Sequence, residues 1–390
     1  MSEPSRAADP GDGRLKLFIL AGEPSGDRIA ADLVSRLQQR VPLAFSGVGG
    51  HELEALGLRS LFPMRDLAVM GVSDVLLRLP LLLWRIEQTA RAIRAGKPDI
   101  VVLVDSQDFS RLLAKRLKRL GYAGKLILYV APSVWARAPQ RAAKLMPLFE
   151  EVLAVLPFEP AVMQRLAGPP TSYVGHPALG ERLVREGVER GPLVLLPGSR
   201  DGELRRHLGL FRQVAAQVGT HPVLDGVVIP TLPSLHERLS REVADWPVPV
   251  RIVSDRAARA DIYRQAALAL AVSGTVTLEL ALAQVPMVVT YVLDPHQARI
   301  YDKHGRPPVS LPNIILGRPA VPELVQNTPD AGAMLAAVQA LLDSKKARQD
   351  QIAAFGELAM LMETGEADFP RQDPADRVLT HWVQRPPSAT

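Results

Sequence analysis

Asp99-Ile100-Val101-Val102-Leu103-Val104, followed at once by Asp105-Ser106-Gln107-Asp108-Phe109, is the stretch from which the architecture can be read. An apolar run of this length, closed by polar turn residues, is expected for a strand covered on both faces. Working outward, Leu15–Ala21, Leu43–Gly47, Leu126–Val130 and Val152–Leu156 are further short apolar runs, separated by helix-length segments such as Arg28–Gln39. Strands alternating with helices imply right-handed βαβ units and a parallel sheet.

The pattern then restarts. Pro192–Leu196 reads as a strand, Pro197–Arg200 as a turn and Gly202–Val218 as a helix, with strand candidates at Val227–Pro230, Val250–Val253, Leu268–Ala271 and Met287–Tyr291. The expected fold is α/β, with two Rossmann-like domains whose parallel sheets face across a cleft. The expected boundaries are a disordered tail at 1–14, an N-terminal domain at 15–180, a C-terminal domain at 190–362 and a terminal segment at 370–390. That segment carries a helix over Ala375–Gln384. Ligands in such sheets bind beyond the carboxyl ends of the strands, so the turns that follow strands are where chemistry is expected.

Composition narrows the function classes. Among 390 residues, 47% are hydrophobic and 22% charged, the balance of a folded globular chain. With no cysteine, disulfides and thiolate metal sites are excluded, and a reducing, cytoplasmic setting is expected. The segment Met1 to Arg14 is polar, with no signal-like apolar run. A net charge of +5 suits phosphorylated or anionic partners, but aromatics are 5% and arginines are dispersed, so nucleic acid is not an expected partner. Val75–Trp84 (VLLRLPLLLW) is too short to span a bilayer. Flanked by Arg78, Arg85, Arg91 and Arg94, it is either a buried core helix or an interfacial membrane patch over 72–94.

Two turns in the second half have the character of anion sites. Gly198-Ser199-Arg200 precedes a helix whose free amides and dipole attract phosphate, with Arg200 able to add a bidentate contact. The same residues can equally be an ordinary cap, with Ser199 at the N-cap and Glu203 one turn inside. Ser273-Gly274-Thr275 is the second turn. Glu279, four residues on, shares the helix face and can accept ribose hydroxyl protons, or can simply face solvent. In the first half, Glu23, Ser25, Gly26 and Asp27 lie in a turn after the first strand that lacks the dinucleotide spacing. Asp105, at the carboxyl end of the central strand, is a candidate general base, and Asp108 a candidate helix cap. His51, His176 and His207 have no metal-ligand spacing, so no metal and no cofactor is expected.

Taken together, GEPSGD (Gly22–Asp27), LAVMG (Leu67–Gly71), DxxDF (Asp105–Phe109), PSVWA (Pro132–Ala136), LPFE (Leu156–Glu159), LLPGSR (Leu195–Arg200), SGT…LE (Ser273–Glu279) and SLPN (Ser310–Asn313) occur in this order. The series resembles that of the lipid-A-disaccharide synthases, GT-B-type glycosyltransferases of Gram-negative bacteria, over about Leu17 to Gln326. The resemblance implies a metal-independent, inverting reaction. UDP-2,3-diacylglucosamine is joined to 2,3-diacylglucosamine 1-phosphate through a β-1,6 linkage, and UDP is released. It places Asp105 at the essential aspartate and Ser25 and Met70 on the acceptor side. Ser199, Arg200, Glu203, Glu279 and Asn313 fall at the UDP end, with Glu323 and Gln326 following in PELVQ.

It also implies acyl substrates met at the cytoplasmic face of the inner membrane, by a peripheral contact, and a terminal helix that returns to the N-terminal domain. A second copy of the chain, in a homodimer, is a further expected partner. Where the family reads DAPDF and SPSVWAW, this chain reads DSQDF and APSVWAR, so that Ala131 lacks a hydroxyl and Arg137 replaces an aromatic. The departures leave open another UDP-sugar enzyme of the same fold with a different lipid acceptor, and a non-catalytic nucleotide-sugar-binding scaffold.

Overall fold

The computed structural model describes residues 13–67, 72–136, 138–181 and 187–382, with no side-chain description at 72–77, 181 and 256. Met70, Arg137 and all but two residues of the 1–14 tail therefore lie outside the described residues. The chain divides into two compact units, Met1–Pro177 with Thr364–Thr390, and Ala178–Glu363.

In unit 1, β1 (Leu15–Ala21), α1 (Pro24–Gln38), β2 (Leu43–Val48), α2 (His51–Ala55), α3 (Val72–Gly96), β3 (Ile100–Val104), α4 (Gln107–Arg119), β4 (Lys125–Tyr129), α5 (Arg141–Leu145), β5 (Glu151–Ala154), α6 (Glu159–Arg165) and β6 (Thr171–Tyr173) follow one another. Their strands form one six-stranded sheet in the order β2-β1-β3-β4-β5-β6. Every pairing in it is parallel. All five residues of β3 are buried, because helices cover both faces of a parallel sheet.

Unit 2 repeats the plan with β7 (Gly191–Leu196), α7 (Asp201–Val218), β8 (Leu224–Pro230), α8 (His236–Val243), β9 (Val250–Val253), α9 (Arg256–Gln265), β10 (Leu268–Val272), α10 (Val276–Leu282), β11 (Met287–Val292), α11 (Pro295–Lys303), α12 (Leu311–Leu316), β12 (Glu323–Gln326), α13 (Ala331–Asp343) and α14 (Lys345–Thr364). Its sheet is also six-stranded and parallel, ordered β12-β11-β10-β7-β8-β9.

In each sheet the strand order reverses once, and this reversal positions the sites. The chain steps one way from β1 to β2, then returns past β1 to lay down β3. In unit 2 it steps from β7 out to β9, then returns to lay β10 against β7. Helices on either side of such a reversal lie on opposite faces of the sheet, so the turns that follow the paired strands splay apart and leave a crevice. The turn pairs at the two crevices are Gly22–Asp27 with Asp105–Phe109, and Pro197–Arg200 with Ser273–Thr275.

After α14 the chain re-enters unit 1, passes through a two-stranded ribbon, β13 (Gly365–Glu366) with β14 (Phe369–Pro370), and ends its described course with α15 (Pro374–Thr380). The return thus begins at Thr364, ahead of 370, and α15 stops at Thr380 where a helix to Gln384 was expected. Asp373 caps α15 by accepting from the Ala375 and Asp376 amides. It also pairs with Arg36 at 2.8 Å and Arg40 at 2.6 Å on α1. Two arginines and two backbone amides hold its carboxyl down at about 2, against the desolvation that opposes them. Glu151, only 1% exposed at the start of β5, is bound by Arg377 at 2.9 Å and His381 at 2.7 Å. A buried carboxylate left without these partners costs about 3–5 kcal/mol, so the return segment is an integral part of unit 1.

Asp373 contributes stability fully above its ordinary value of 3.8, and loses it as pH falls through about 2. Asp373→Ala, which removes the cap and both ion pairs, is expected to cost about 1–2 kcal/mol at neutral pH. Hydrogen exchange over 374–380 should accelerate while α4 stays protected; unchanged exchange there would show that Asp373 does not anchor the segment.

Candidate active site

At the unit 1 reversal, the GEPSGD turn and the segment after β3 are in direct contact. A Cβ on Gly22 would overlap the Ser106 hydroxyl, so only glycine allows this approach. Gly26 is buried, and a Cβ there would lie 3.7 Å from the Asp105 Cβ. Asp105 and Ser106 take φ of +55° and +44°, and Val130, at the end of the adjacent β4, takes +76°. For a β-branched valine this is a strained conformation, and three such residues at two neighbouring strand ends mark a place where geometry overrides local preference. The strained pair is held by Asp105 N–H donating to Tyr129 O at 2.9 Å, the Ser110 hydroxyl donating to Asp105 O at 2.9 Å, and Gln107 Nε2 donating to Val130 O at 3.0 Å.

Asp105 is half-buried at this junction. Burial pushes its carboxyl above the ordinary 3.8, and a bond from the Ser106 backbone only partly opposes this. A raised but titratable carboxylate at a strand end has the character of a proton acceptor. It caps nothing: α4 starts at Gln107, with Ser106 at the N-cap position. Nor is Asp108 a cap, as an exposed carboxylate 3.3 Å from Arg111. Glu23 and Ser25 are exposed on the rim of the turn. Asp27, expected on the acceptor side, turns its two oxygens instead to the Gly50 and Glu52 amides at the start of α2, at 2.8 and 2.9 Å. It ties the glycine turn after β2 to the turn after β1.

Glu159, the acid of LPFE, is a further member of this site that motif order does not reveal. It is 3% exposed. Its oxygens accept from the Val155 and Leu156 amides and from Trp135 Nε1 at 3.3 Å. Burial pushes it up to about 7, and Trp135 stands edge-on to Phe158. It thereby ties the PSVWA loop to the end of β5. An acid set between apolar runs was the only signal in the sequence. Ala131, where the family has serine, is 5% exposed within the core, so that departure does not open onto solvent.

In unit 2 the LPGSR turn differs from expectation. Arg200, rather than Ser199, occupies the N-cap of α7, and Glu203 folds back to close the turn. Glu203 Oε2 accepts from the Ser199 and Arg200 amides at 3.1 and 3.3 Å, and Oε1 takes Arg200 Nη1 at 3.0 Å. Gly198 has φ of +103°, and a Cβ there would be 2.5 Å from Glu203 Oε2. The chain's own carboxylate thus holds two amides that were expected to be open to phosphate. Arg200 keeps a side chain 73% exposed.

One turn further, His207 is wholly buried and structural. Its Nε2 accepts from Val292 N–H at 2.8 Å, so Nδ1 carries the proton donated to Glu203 O. Burial lowers its pKa, which keeps the ring neutral and α7 fastened to the end of β11.

Gly274 and Thr275 are exposed at the end of β10, and the Ser273 hydroxyl donates to Val309 O at 2.6 Å. Glu279 is half-buried on α10, and its charge acts on the buried Tyr263 phenol. Asn313, expected to touch nucleotide, is saturated by the chain. Its Nδ2 donates to Val321 O and Glu323 Oε1, while Oδ1 accepts from the Ala320 and Val321 amides. Glu323 in turn accepts from the Val309 and Ser310 amides and from the Ser310 hydroxyl. Gln326 folds both ends of its amide onto the Asp330 backbone. Asn313, Glu323 and Gln326 therefore shape loops. Among the described residues no cluster of metal-ligating side chains occurs.

Both reversals carry polar turns, and the chain is similar to known proteins over most of its length. Residues 17–368 match the family model described as lipid-A-disaccharide synthetase. The lipid-A-disaccharide synthase of Rhodospirillum centenum is 41% identical over 388 residues, covering 95% of this chain and 96% of the relative. That of Rhodopseudomonas palustris is 38% identical over 387 residues, covering 96% and 98%. In fold, the chain is similar to the calicheamicin glycosyltransferase CalG4, with a TM-score of 0.57 and 17% identity over 94% of this chain and 98% of that one. It is likewise similar to S. aureus MnaA, solved as a UDP co-structure, with a TM-score of 0.59 and 11% identity over 97% and 100%. The fold is therefore of the GT-B type, and the chain belongs to the lipid-A-disaccharide synthetase family of glycosyltransferases.

Proposed function

We propose that the chain transfers 2,3-diacylglucosamine from its UDP ester to the 6-hydroxyl of 2,3-diacylglucosamine 1-phosphate, with inversion to a β-1,6 linkage. A nucleotide-sugar donor and a sugar-phosphate acceptor are the substrate classes of the family. The observation that carries the reading is the pair of sheet reversals, one holding Asp105 beside GEPSGD and the other holding LPGSR beside SGT.

In this reading Asp105 takes the proton of the attacking hydroxyl. The acceptor oxygen bonds to the anomeric carbon as that carbon's bond to UDP breaks, through an oxocarbenium-like transition state in which negative charge grows on the departing diphosphate. Arg200 and the amides at the start of α10 would meet that charge. Glu203 fixes the turn that presents Arg200, and Glu279 would accept the ribose hydroxyls. Glu23, Ser25 and Gly26 would line the acceptor side. Asp27, Glu159, Asn313 and Gln326 act by bracing the loops that carry these groups.

The acyl substrates call for contact with a lipid surface. On α3, Leu79, Leu83 and Trp84 are 40, 52 and 55% exposed, beside an exposed Arg78. Arg85 is pinned to Asp66 and stacked 4.3 Å from the Trp84 ring and 4.4 Å from that of Phe62, which holds the tryptophan outward. Among the described residues no helix is long and apolar enough to cross a membrane. We therefore assign α3 a peripheral contact with the anionic cytoplasmic face of the inner membrane.

A donor-dependent UDP-release assay with the monophosphorylated acyl-glucosamine acceptor tests the reaction. Turnover with acylated but not deacylated donor is expected, and turnover indifferent to acylation would overturn the substrate assignment. Asp105→Asn should lower kcat roughly 10²–10⁴-fold. In the wild type kcat/KM should fall on the acid side, through a pKa above 3.8, as the base is protonated. Near-normal turnover of the variant would remove Asp105 from the role. In flotation with anionic vesicles the chain should co-migrate, and Leu83→Glu with Trp84→Glu should release it. Wild-type protein that stays at the bottom of the gradient would rule out the contact.

A further inference from the structure

Among the described residues, two buried side-chain polar atoms have no hydrogen-bond partner, Tyr263 Oη and Arg206 Nε, and both belong to unit 2. Tyr263 is 4% exposed, so no ligand reaches it. Arg206 is only half-buried, and of its nitrogens only Nε is among the buried atoms without a partner. Its one hydrogen bond among the described residues is a long donation, 3.4 Å from Nη2 to the Tyr291 hydroxyl, with Cζ 5.7 Å from that ring. No carboxylate pairs with it among the described residues, whereas Arg200 on the same helix is tied to Glu203. A half-buried guanidinium with no carboxylate beside it has an uncompensated charge, which an anionic partner would offset.

Its placement says which anion. The side chain runs back along α7, so that Nη1 lies 3.6 Å from where a Cβ on Gly202 would be, in the first turn of the helix. From α7, which leaves β7, it reaches Tyr291 on β11, and β10 is the strand between those two. Ser273, which opens the SGT turn beyond β10, donates its amide to the Thr290 carbonyl, next to Tyr291. Arg206 therefore stands between the two anion-type turns. Its charge matters there because Glu203 already occupies the Ser199 and Arg200 amides.

We propose that Arg206 is a second phosphate-binding guanidinium of unit 2, its Nη1 and Nη2 donating to non-bridging oxygens of the donor's diphosphate beside Arg200. This rests on the nucleotide-sugar reading above.

Calorimetric titration of the full chain with UDP and with uridine, for wild type, Arg206→Gln, Arg206→Lys and Arg200→Ala, separates the possibilities. Arg206→Gln is expected to weaken UDP about tenfold, about 1.4 kcal/mol, and to leave uridine unchanged. Arg206→Lys should recover only part of the loss, because an ammonium lacks the planar fork. A ligand-free melting temperature at or above that of wild type would show that the loss is not unfolding. UDP affinity unchanged in Arg206→Gln but reduced in Arg200→Ala would overturn the role of Arg206 and leave the nucleotide reading standing. Wild-type protein that binds neither UDP nor uridine would overturn both.

Discussion

The constraint on which the rest depends is the parallel sheet. A parallel strand must return its chain to the same end before the next can be laid down, and both faces of the sheet are then covered by the returning helices. The faces of the sheet are thereby closed to ligands, and the carboxyl ends stay open. Where the order of laying down reverses, between β1 and β3 and between β7 and β10, neighbouring turns separate and polar groups can converge. The same topological event occurs once in each unit. An acid with a raised pKa lies at one, and arginines with a glycine turn lie at the other.

Around these reversals the acids have two kinds of role. Asp27, Glu159, Glu203 and Glu323 each turn back onto backbone amides of a nearby turn. Such bonds satisfy donors that a loop at a strand end would otherwise leave unmet, and they fix loop conformations that φ/ψ preferences alone would not choose. Asp105 differs, because desolvation outweighs its one backbone bond and leaves it more easily protonated than an ordinary aspartate. Its positive φ, and that of Ser106 and Val130, is maintained by bonds from β4 and α4 rather than by local propensity. Strain held by surrounding packing is what a preorganised base requires.

The strands buried on both faces were legible from the sequence, because a fully covered strand must be apolar throughout: DIVVLV and the run in β10 could hardly be anything else. The three-residue edge strand Thr171–Tyr173 was not, because a short strand at a sheet edge has no apolar run to show. Motif order was sufficient to indicate the family. It did not distinguish residues that face a ligand from residues that brace a loop. Asn313, Gln326 and Asp27 stand in the motifs as plainly as Asp105 does, yet their polar atoms are engaged by the chain itself.

By itself, then, the sequence determined two α/β units, their all-parallel sheets and which turns follow which strands, since hydrophobic periodicity and glycine placement are local properties. Only the tertiary structure decided which turns lie side by side. It brought Gly22 against Ser106, closed the LPGSR turn on Glu203, and left Arg206 without an acid among the described residues. Those outcomes depend on strand order and on which donors a distant acceptor reaches first. Neither is encoded in spacing along the chain.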